Sequence, residues 1–256
     1  MAELEVKDLT LRFGGLLVLD AVSFSVQPRE LFALIGPNGA GKTSVLNCIS
    51  GLYRGSGSIR FRGKEIAGRA PHEAARLGIA RTFQHGELFP HMTVLENLLT
   101  ARHARIRSNP LAEMFFLGSV RREETVHREA VEKILDFVEL ERYRYASVGG
   151  LPFGIQKIVG FARALASEPT LLLLDEPSAG LNRDEREDLA RYILRIRHDL
   201  NIAMIWIEHD MQMVADLAER IHVLDYGRTL AAGAPKDVLH DARVVEAYLG
   251  RRTSAE

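Results

Sequence analysis

Residues Gly36-Pro37-Asn38-Gly39-Ala40-Gly41-Lys42-Thr43 fit the pattern G-x-x-x-x-G-K-[ST], which is suited to gripping phosphate. Glycines let backbone N–H groups point inward, and a helix N-terminus favours negative charge. Lys42 can reach the outer phosphates, the Thr43 hydroxyl can hold Mg²⁺, and Ser44 continues into the helix. The candidate nucleotide contacts therefore run from Gly36 to Ser44. A second chemical group is Asp175-Glu176, two acids ending the apolar run Leu171–Leu174. Asp175 is suited to a metal ion and its waters, and Glu176 to polarising an attacking water. Adjacent acids after a strand also serve as ordinary helix N-terminal residues, so the phosphate pattern is what favours chemistry here.

Both groups need a particular scaffold. Leu31–Ile35 reads as a buried strand feeding the glycine loop, and Thr43–Ile49 as the helix leaving it. Leu171–Leu174 reads as a strand covered on both faces, as in a parallel sheet. Carboxylates at the C-terminal end of such a strand lie where open α/β sheets bind ligands.

Around these elements, residues 4–26 alternate apolar and polar about a Gly14-Gly15 turn, predicting antiparallel strands. Residues 55–63 read as another hairpin element, and Ile79–Phe83 as a strand ending at Gln84. From His91 to about Leu165 the pattern is helical, with helices near Val94–His103, Glu123–Val138 and Gln156–Ala166. A helix over Arg183–Asp199, a strand over Ile202–Ile207, a helix over Met211–Leu217 and a strand pair about Asp225–Arg228 follow. The basic run Arg102–Arg107 reads most simply as a solvated loop or helix end, and otherwise as a partner contact.

The bulk numbers narrow the function. The chain has 256 residues, 46% hydrophobic and 26% charged, with formal net charge −1, which argues against a nucleic acid as the main partner. Cys48 is the single cysteine, excluding an intrachain disulfide and suiting a reducing compartment. It is expected to pack on the helix after the glycine loop rather than to react. No apolar run approaches the roughly 20 residues of a membrane span, and the acidic N-terminus lacks a signal-peptide core.

Taken together, these residues resemble the ATP-binding subunit of an ABC transporter from about Leu4 to Gly250. The resemblance implies an α/β P-loop NTPase with a parallel-sheet core, an N-terminal antiparallel β subdomain and a helical insert. It implies one domain over 4–250, with its core at about 1–90 and 166–250, a helical subdomain at about 91–165, and a tail at 251–256. Phe13 takes the place of the aromatic that stacks on adenine, and Gln84 that of the glutamine meeting Mg²⁺ and the transmembrane partner. His209 matches the histidine contacting the γ-phosphate, and Ser178–Asn182 the loop that crosses the dimer interface. Catalysis would then rest on Glu176, His209 and Lys42, and metal binding on Thr43, Gln84 and Asp175, with ATP and Mg²⁺ as the bound species.

One motif departs from the family. Where most members present L-S-G-G-Q, this chain has Leu151-Pro152-Phe153-Gly154-Ile155. Gly154 keeps close phosphate approach open, whereas Pro152 supplies neither a hydroxyl nor an N–H. Phe153 is expected to pack on the helical insert or across a dimer. The Pro-aromatic-Gly segment, Ile207–Met211, Leu224–Gly227 and the tail Val245–Gly250 resemble importers of branched-chain amino acids, and the basic insert between Leu99 and Glu123 resembles the longer of their two ATPase subunits. Importers of urea, amides or aromatic acids look much alike, and a soluble non-transport ABC ATPase is the more distant alternative. The implied partners are permease subunits, a second ATPase subunit in a homo- or heterodimer and, indirectly, a substrate-binding protein, with no nucleic acid. The implied location is peripheral, on the cytoplasmic face of the plasma membrane.

Overall fold

The computed structural model describes residues 2–82, 88–105 and 118–249. Among the described residues ten strands form two sheets. The first is antiparallel, in the order β2-β1-β4-β5, from β1 (Leu4–Phe13), β2 (Leu16–Val26), β4 (Ser56–Phe61) and β5 (Lys64–Glu65). The second runs β10-β9-β3-β8-β7-β6, from β3 (Leu31–Ile35), β6 (Ile79–Thr82), β7 (Leu171–Asp175), β8 (Ala203–Ile207), β9 (Arg220–Asp225) and β10 (Arg228–Gly233). Five of these six are mutually parallel, and only β10 turns back on its neighbour.

Period-2 geometry explains why the central strands read as unbroken apolar runs. In β3, Leu31, Ala33 and Ile35 enter one core, and Phe32 and Leu34 the other. Leu172, Leu174, Met204 and Trp206 join the first, while Leu171, Leu173, Ala203, Ile205 and Ile207 join the second. The first core is closed by the helices Val94–Ala101, Phe153–Ala166 and Arg183–Arg195. The second lies under the antiparallel sheet and the helix Lys42–Ile49. Both faces are covered, so alternation cannot appear in the sequence.

Local chemistry sets several helix ends. Thr93 caps Val94–Ala101 with a Glu96 capping box, Asn182 does the same for Arg183–Arg195 with Glu185, and Asp210 caps Met211–Leu217. The helix over Phe153–Ala166 begins three residues before the expected Gln156, so Gly154 lies in its first turn. Arg183–Arg195 continues as a wide π turn over Ile196–Leu200. Helices at Pro71–Leu77, Pro235–Val238 and Ala242–Leu249 are additional to those expected from the sequence.

The described part of the basic run, Arg102–Arg105, is a 3-10 turn at the end of the helix Val94–Ala101, in line with the helix-end reading, but Arg102 is not solvated. Arg102 is buried, and its guanidinium donates to the Ala166 carbonyl and Glu168 at 2.9 Å each and to Nδ1 of His127. Arg105 donates to the Ser167 and Glu168 carbonyls. Unsatisfied carbonyls at a helix C-terminus attract cations, and that is where both arginines sit. Cys48 is buried as expected, and burial pushes its thiol up to about 11.

Candidate functional site

Parallel strands β3, β8, β7 and β6 are neighbours in the sheet, so their C-terminal ends share one edge. The glycine loop follows β3, Glu208-His209 follows β8, Glu176 follows β7, and Arg81-Thr82 ends β6. Residues more than a hundred positions apart are thereby gathered in one crevice, where such sheets bind ligands.

The loop's conformation requires glycine at two positions. Gly36 has φ 148°, and a Cβ there would meet the Leu224 carbonyl oxygen at 2.1 Å. Gly41 has φ 102°, and a Cβ would meet Leu19 Cδ2 at 2.7 Å. Asn38 and Gly39 are exposed at the loop's crest, while Pro37 and Ala40 are buried beneath it. Gly227 anchors the loop from the β9–β10 turn by donating to the Ala40 carbonyl at 3.0 Å. Lys42 is buried, and its ammonium donates to the carbonyls of Gly36 at 2.7 Å and Pro37 at 3.1 Å. Ser44 is half-buried in the first turn of the following helix.

Asp175 is buried at the end of β7. Its Oδ2 accepts from Arg81 Nη2 at 2.7 Å, and its Oδ1 lies 3.5 Å from the Thr43 hydroxyl. A hydroxyl and a carboxylate oxygen meeting beside a phosphate loop suit Mg²⁺, which takes few protein ligands and keeps water and phosphate oxygens.

Glu176 has φ 48°, a left-handed conformation uncommon outside glycine, and its N–H donates to the Ile207 carbonyl at 3.0 Å. Its Oε1 lies 2.7 Å from His209 Nε2. The Glu208 carboxylate, buried behind them, accepts from the His209 N–H at 2.7 Å. Lys157 on the helix Phe153–Ala166 is held below the usual lysine range by burial, partly offset by the Glu176 and Glu208 carboxylates. It lines a cavity of about 490 Å³ together with Arg81, Asp175, Glu176, Phe153 and Gly180.

Phe13 ends β1 and is 47% exposed, meeting only the edge of Tyr53 among aromatic rings of the described residues, at 5.0 Å. An exposed ring at the rim is no core residue. Phe153 is 56% exposed, so among the described residues it is not buried against the helical insert, which leaves packing across a dimer as the other expectation. Its ring lies against Gly180, where a Cβ would come within 2.8 Å of it, and beneath the Lys157 ammonium at 5.6 Å. Pro152 is exposed as the N-cap of that helix. Gly154 is buried because the Glu185 carboxylate covers it, lying 1.9 Å from where a Cβ would stand. Gln84, expected beside the nucleotide's Mg²⁺, lies outside the described residues, as does much of the basic insert.

Arg81, Glu185 and Tyr53 were not singled out from sequence. Arg81 could have been suspected, because a charged residue next to the end of a strand flanked by β7 has no solvent on its inner side.

Known proteins resemble this chain along most of its length. A family model described as ABC transporter matches residues 19–179, and one described as Branched-chain amino acid ATP-binding cassette transporter matches residues 228–253. The high-affinity branched-chain amino acid transport ATP-binding protein BraF of Pseudomonas aeruginosa is 42% identical over 248 residues, covering 96% of this chain and 97% of its own. The similarly described LivG of Escherichia coli is 38% identical over the same shares. Among solved structures, the ADP conformation of an ATP-binding cassette of an ABC transporter matches with TM-score 0.85 and 33% identity, covering 98% of this chain and 99% of that one. With such matches along almost its whole length, the chain belongs to the ABC transporter ATP-binding family.

Proposed function

We propose that this chain is the ATP-hydrolysing subunit of a membrane importer for branched-chain or related amino acids. The observation that carries the reading is the shared edge of β3, β8 and β7, which sets a phosphate loop beside Asp175, Glu176 and His209. The full-length similarity to BraF and LivG supplies the cargo class and does not favour the urea, amide or aromatic-acid alternatives.

In this reading Phe13 stacks on adenine, and the N–H groups of residues 36–44 cradle the phosphates. Lys42 exchanges its two carbonyl acceptors for phosphate oxygens. Thr43 and Asp175, with Gln84, would hold Mg²⁺, which when bound would supply neutralisation of charge on the transferred phosphoryl group. Glu176, held by His209, orients the attacking water for in-line displacement. Two subunits face head to tail, and the segment Pro152-Phe153-Gly154 of each completes the site of the other. Closure moves the helical subdomain at about 91–165 against the permease on the cytoplasmic side of the membrane. An importer of this kind works with a permease; no helix among the described residues is long and apolar enough to cross a membrane. A substrate-binding protein delivers the cargo to that permease.

Two measurements test this. The purified chain should release phosphate from ATP in the presence of Mg²⁺, and Lys42→Ala should abolish that release. Vesicles carrying the chain with its permeases should take up leucine, isoleucine or valine only when ATP is supplied on the side of this subunit. ATP-independent uptake, or no phosphate release by the assembled complex, contradicts the proposal.

A further inference from the structure

We infer that Arg81 is a positioning residue for the divalent ion that accompanies the nucleotide, fixing the Asp175 carboxylate so that one oxygen faces Thr43. The inference rests on the nucleotide-binding reading of the same site.

Arg81 and Asp175 form an ion pair with side chains only 8% and 1% exposed. A pair so deeply buried is costly unless both groups are well bonded. Here the guanidinium is used at both ends: Nη2 donates to Asp175 Oδ2, while Nη1 donates to the Asn47 side-chain oxygen, with the Ser50 hydroxyl at 3.5 Å. Thr43, Asn47 and Ser50 follow one another at spacings of four and three, which places them along one face of the helix after the phosphate loop. One planar fork therefore ties that helix to the end of β7. With Oδ2 engaged by Arg81, the oxygen turned towards the Thr43 hydroxyl is Oδ1.

This is the role an outer-shell partner plays at a metal site. It orients the first ligand without touching the ion, and its loss commonly costs about 10- to 100-fold in metal affinity. Lysine cannot replace it. An ammonium keeps the charge but lacks the planar fork that spans Asp175 and Asn47 together.

The test is Mn²⁺ binding to the protein–ADP complex, read by electron paramagnetic resonance of the free ion, alongside calorimetric ADP affinity in EDTA. R81K is expected to raise the Mn²⁺ dissociation constant about tenfold and to leave metal-free ADP affinity unchanged. Asn47→Ala keeps the charge and the Asp175 bond but frees the fork's far end, and it should raise the same constant by a smaller factor. If R81K fails to fold, as its thermal melt will show, Asn47→Ala alone decides the matter. Wild-type Mn²⁺ affinity in the folded variants overturns the proposal, and so does an ADP affinity that falls equally with and without metal. Absence of ADP binding in the wild type overturns the nucleotide reading beneath it, and is distinguishable because it precedes any substitution.

Discussion

His209 Nε2 and Glu176 Oε1 stand 2.7 Å apart, joining the residues that follow β8 and β7. Each is held independently. Glu176 is pinned in a left-handed conformation by its backbone bond to Ile207, and the His209 N–H is bonded to the buried Glu208. A carboxylate that must orient a water at a phosphoryl group needs this kind of support, because misplacement by about 1 Å can cost 10²-fold in rate.

His209→Ala should therefore lower kcat for ATP by roughly 10²-fold, the lower range for a positioned acid–base group, with little change in nucleotide affinity. Steady-state phosphate release and calorimetry measure the two separately. A kcat equal to wild type would remove His209 from the reaction.

Phe13→Ala should raise the KM for ATP, with stacking worth about 1 kcal/mol, and leave both kcat and the melting temperature nearly unchanged. At 47% exposure the ring contributes little to the core. A large drop in melting temperature would contradict its placement at the rim.

Much of this was legible in the sequence, for identifiable reasons. The phosphate loop is local, and its glycines, Lys42 and Thr43 announce the conformation they need. Asp175 and Glu176 were legible because they interrupt an apolar run at a strand end. What stayed hidden depends on register and side-chain reach. Arg81 meets Asp175 only because β6 lies beside β7, and Glu185 covers Gly154 only because the helices Phe153–Ala166 and Arg183–Arg195 pack closely. Arg102 reads in the sequence as one charge among several, and only the fold brings the Ala166 carbonyl to its guanidinium. Short helices such as Pro235–Val238 give too few turns for a period to register.

Exposure also revises what the unusual signature does. Because Phe153 is 56% exposed and rests on Gly180 and Lys157, Phe153→Gly removes little buried surface. The stability loss should be close to the roughly 1 kcal/mol of glycine in a helix, well short of the several kcal/mol of a core deletion. Pro152→Ser adds a hydroxyl and an N–H, and should hydrolyse ATP at least as fast as wild type. Thermal melts and ATPase assays with the permease present check both. A Phe153→Gly loss of core size would mean that the ring is covered in the working protein.

His222 sets an acid limit on stability. Burial against Phe24 and Phe32, with a smaller push from Arg220, lowers its pKa from 6.5 to about 4, and its Nε2 lies 3.0 Å from the Thr229 hydroxyl. As pH falls from 6.5 towards 4, the unfolded chain gains this proton before the folded one, so stability declines in that window. The contribution at its limit is roughly 3 kcal/mol. His222→Gln should flatten the decline, as seen by denaturant melts at a series of pH values. Parallel wild-type and variant curves between pH 6.5 and 4 would exclude the histidine as the cause.

ATP is expected to close two copies of this fold, or this chain and a sister subunit, and Glu176 then to open them by hydrolysis. Glu176→Gln keeps the side chain's shape and removes its charge, so binding should persist while turnover stops. The most direct measurement is the mass of this variant with and without ATP and Mg²⁺, by size-exclusion chromatography with light scattering, on the chain alone and mixed with its sister ATPase. The expected result is an ATP-dependent dimer that the wild type does not accumulate, with phosphate release at background level. A variant that turns over ATP at the wild-type rate, or that binds ATP and stays monomeric in both mixtures, would contradict it.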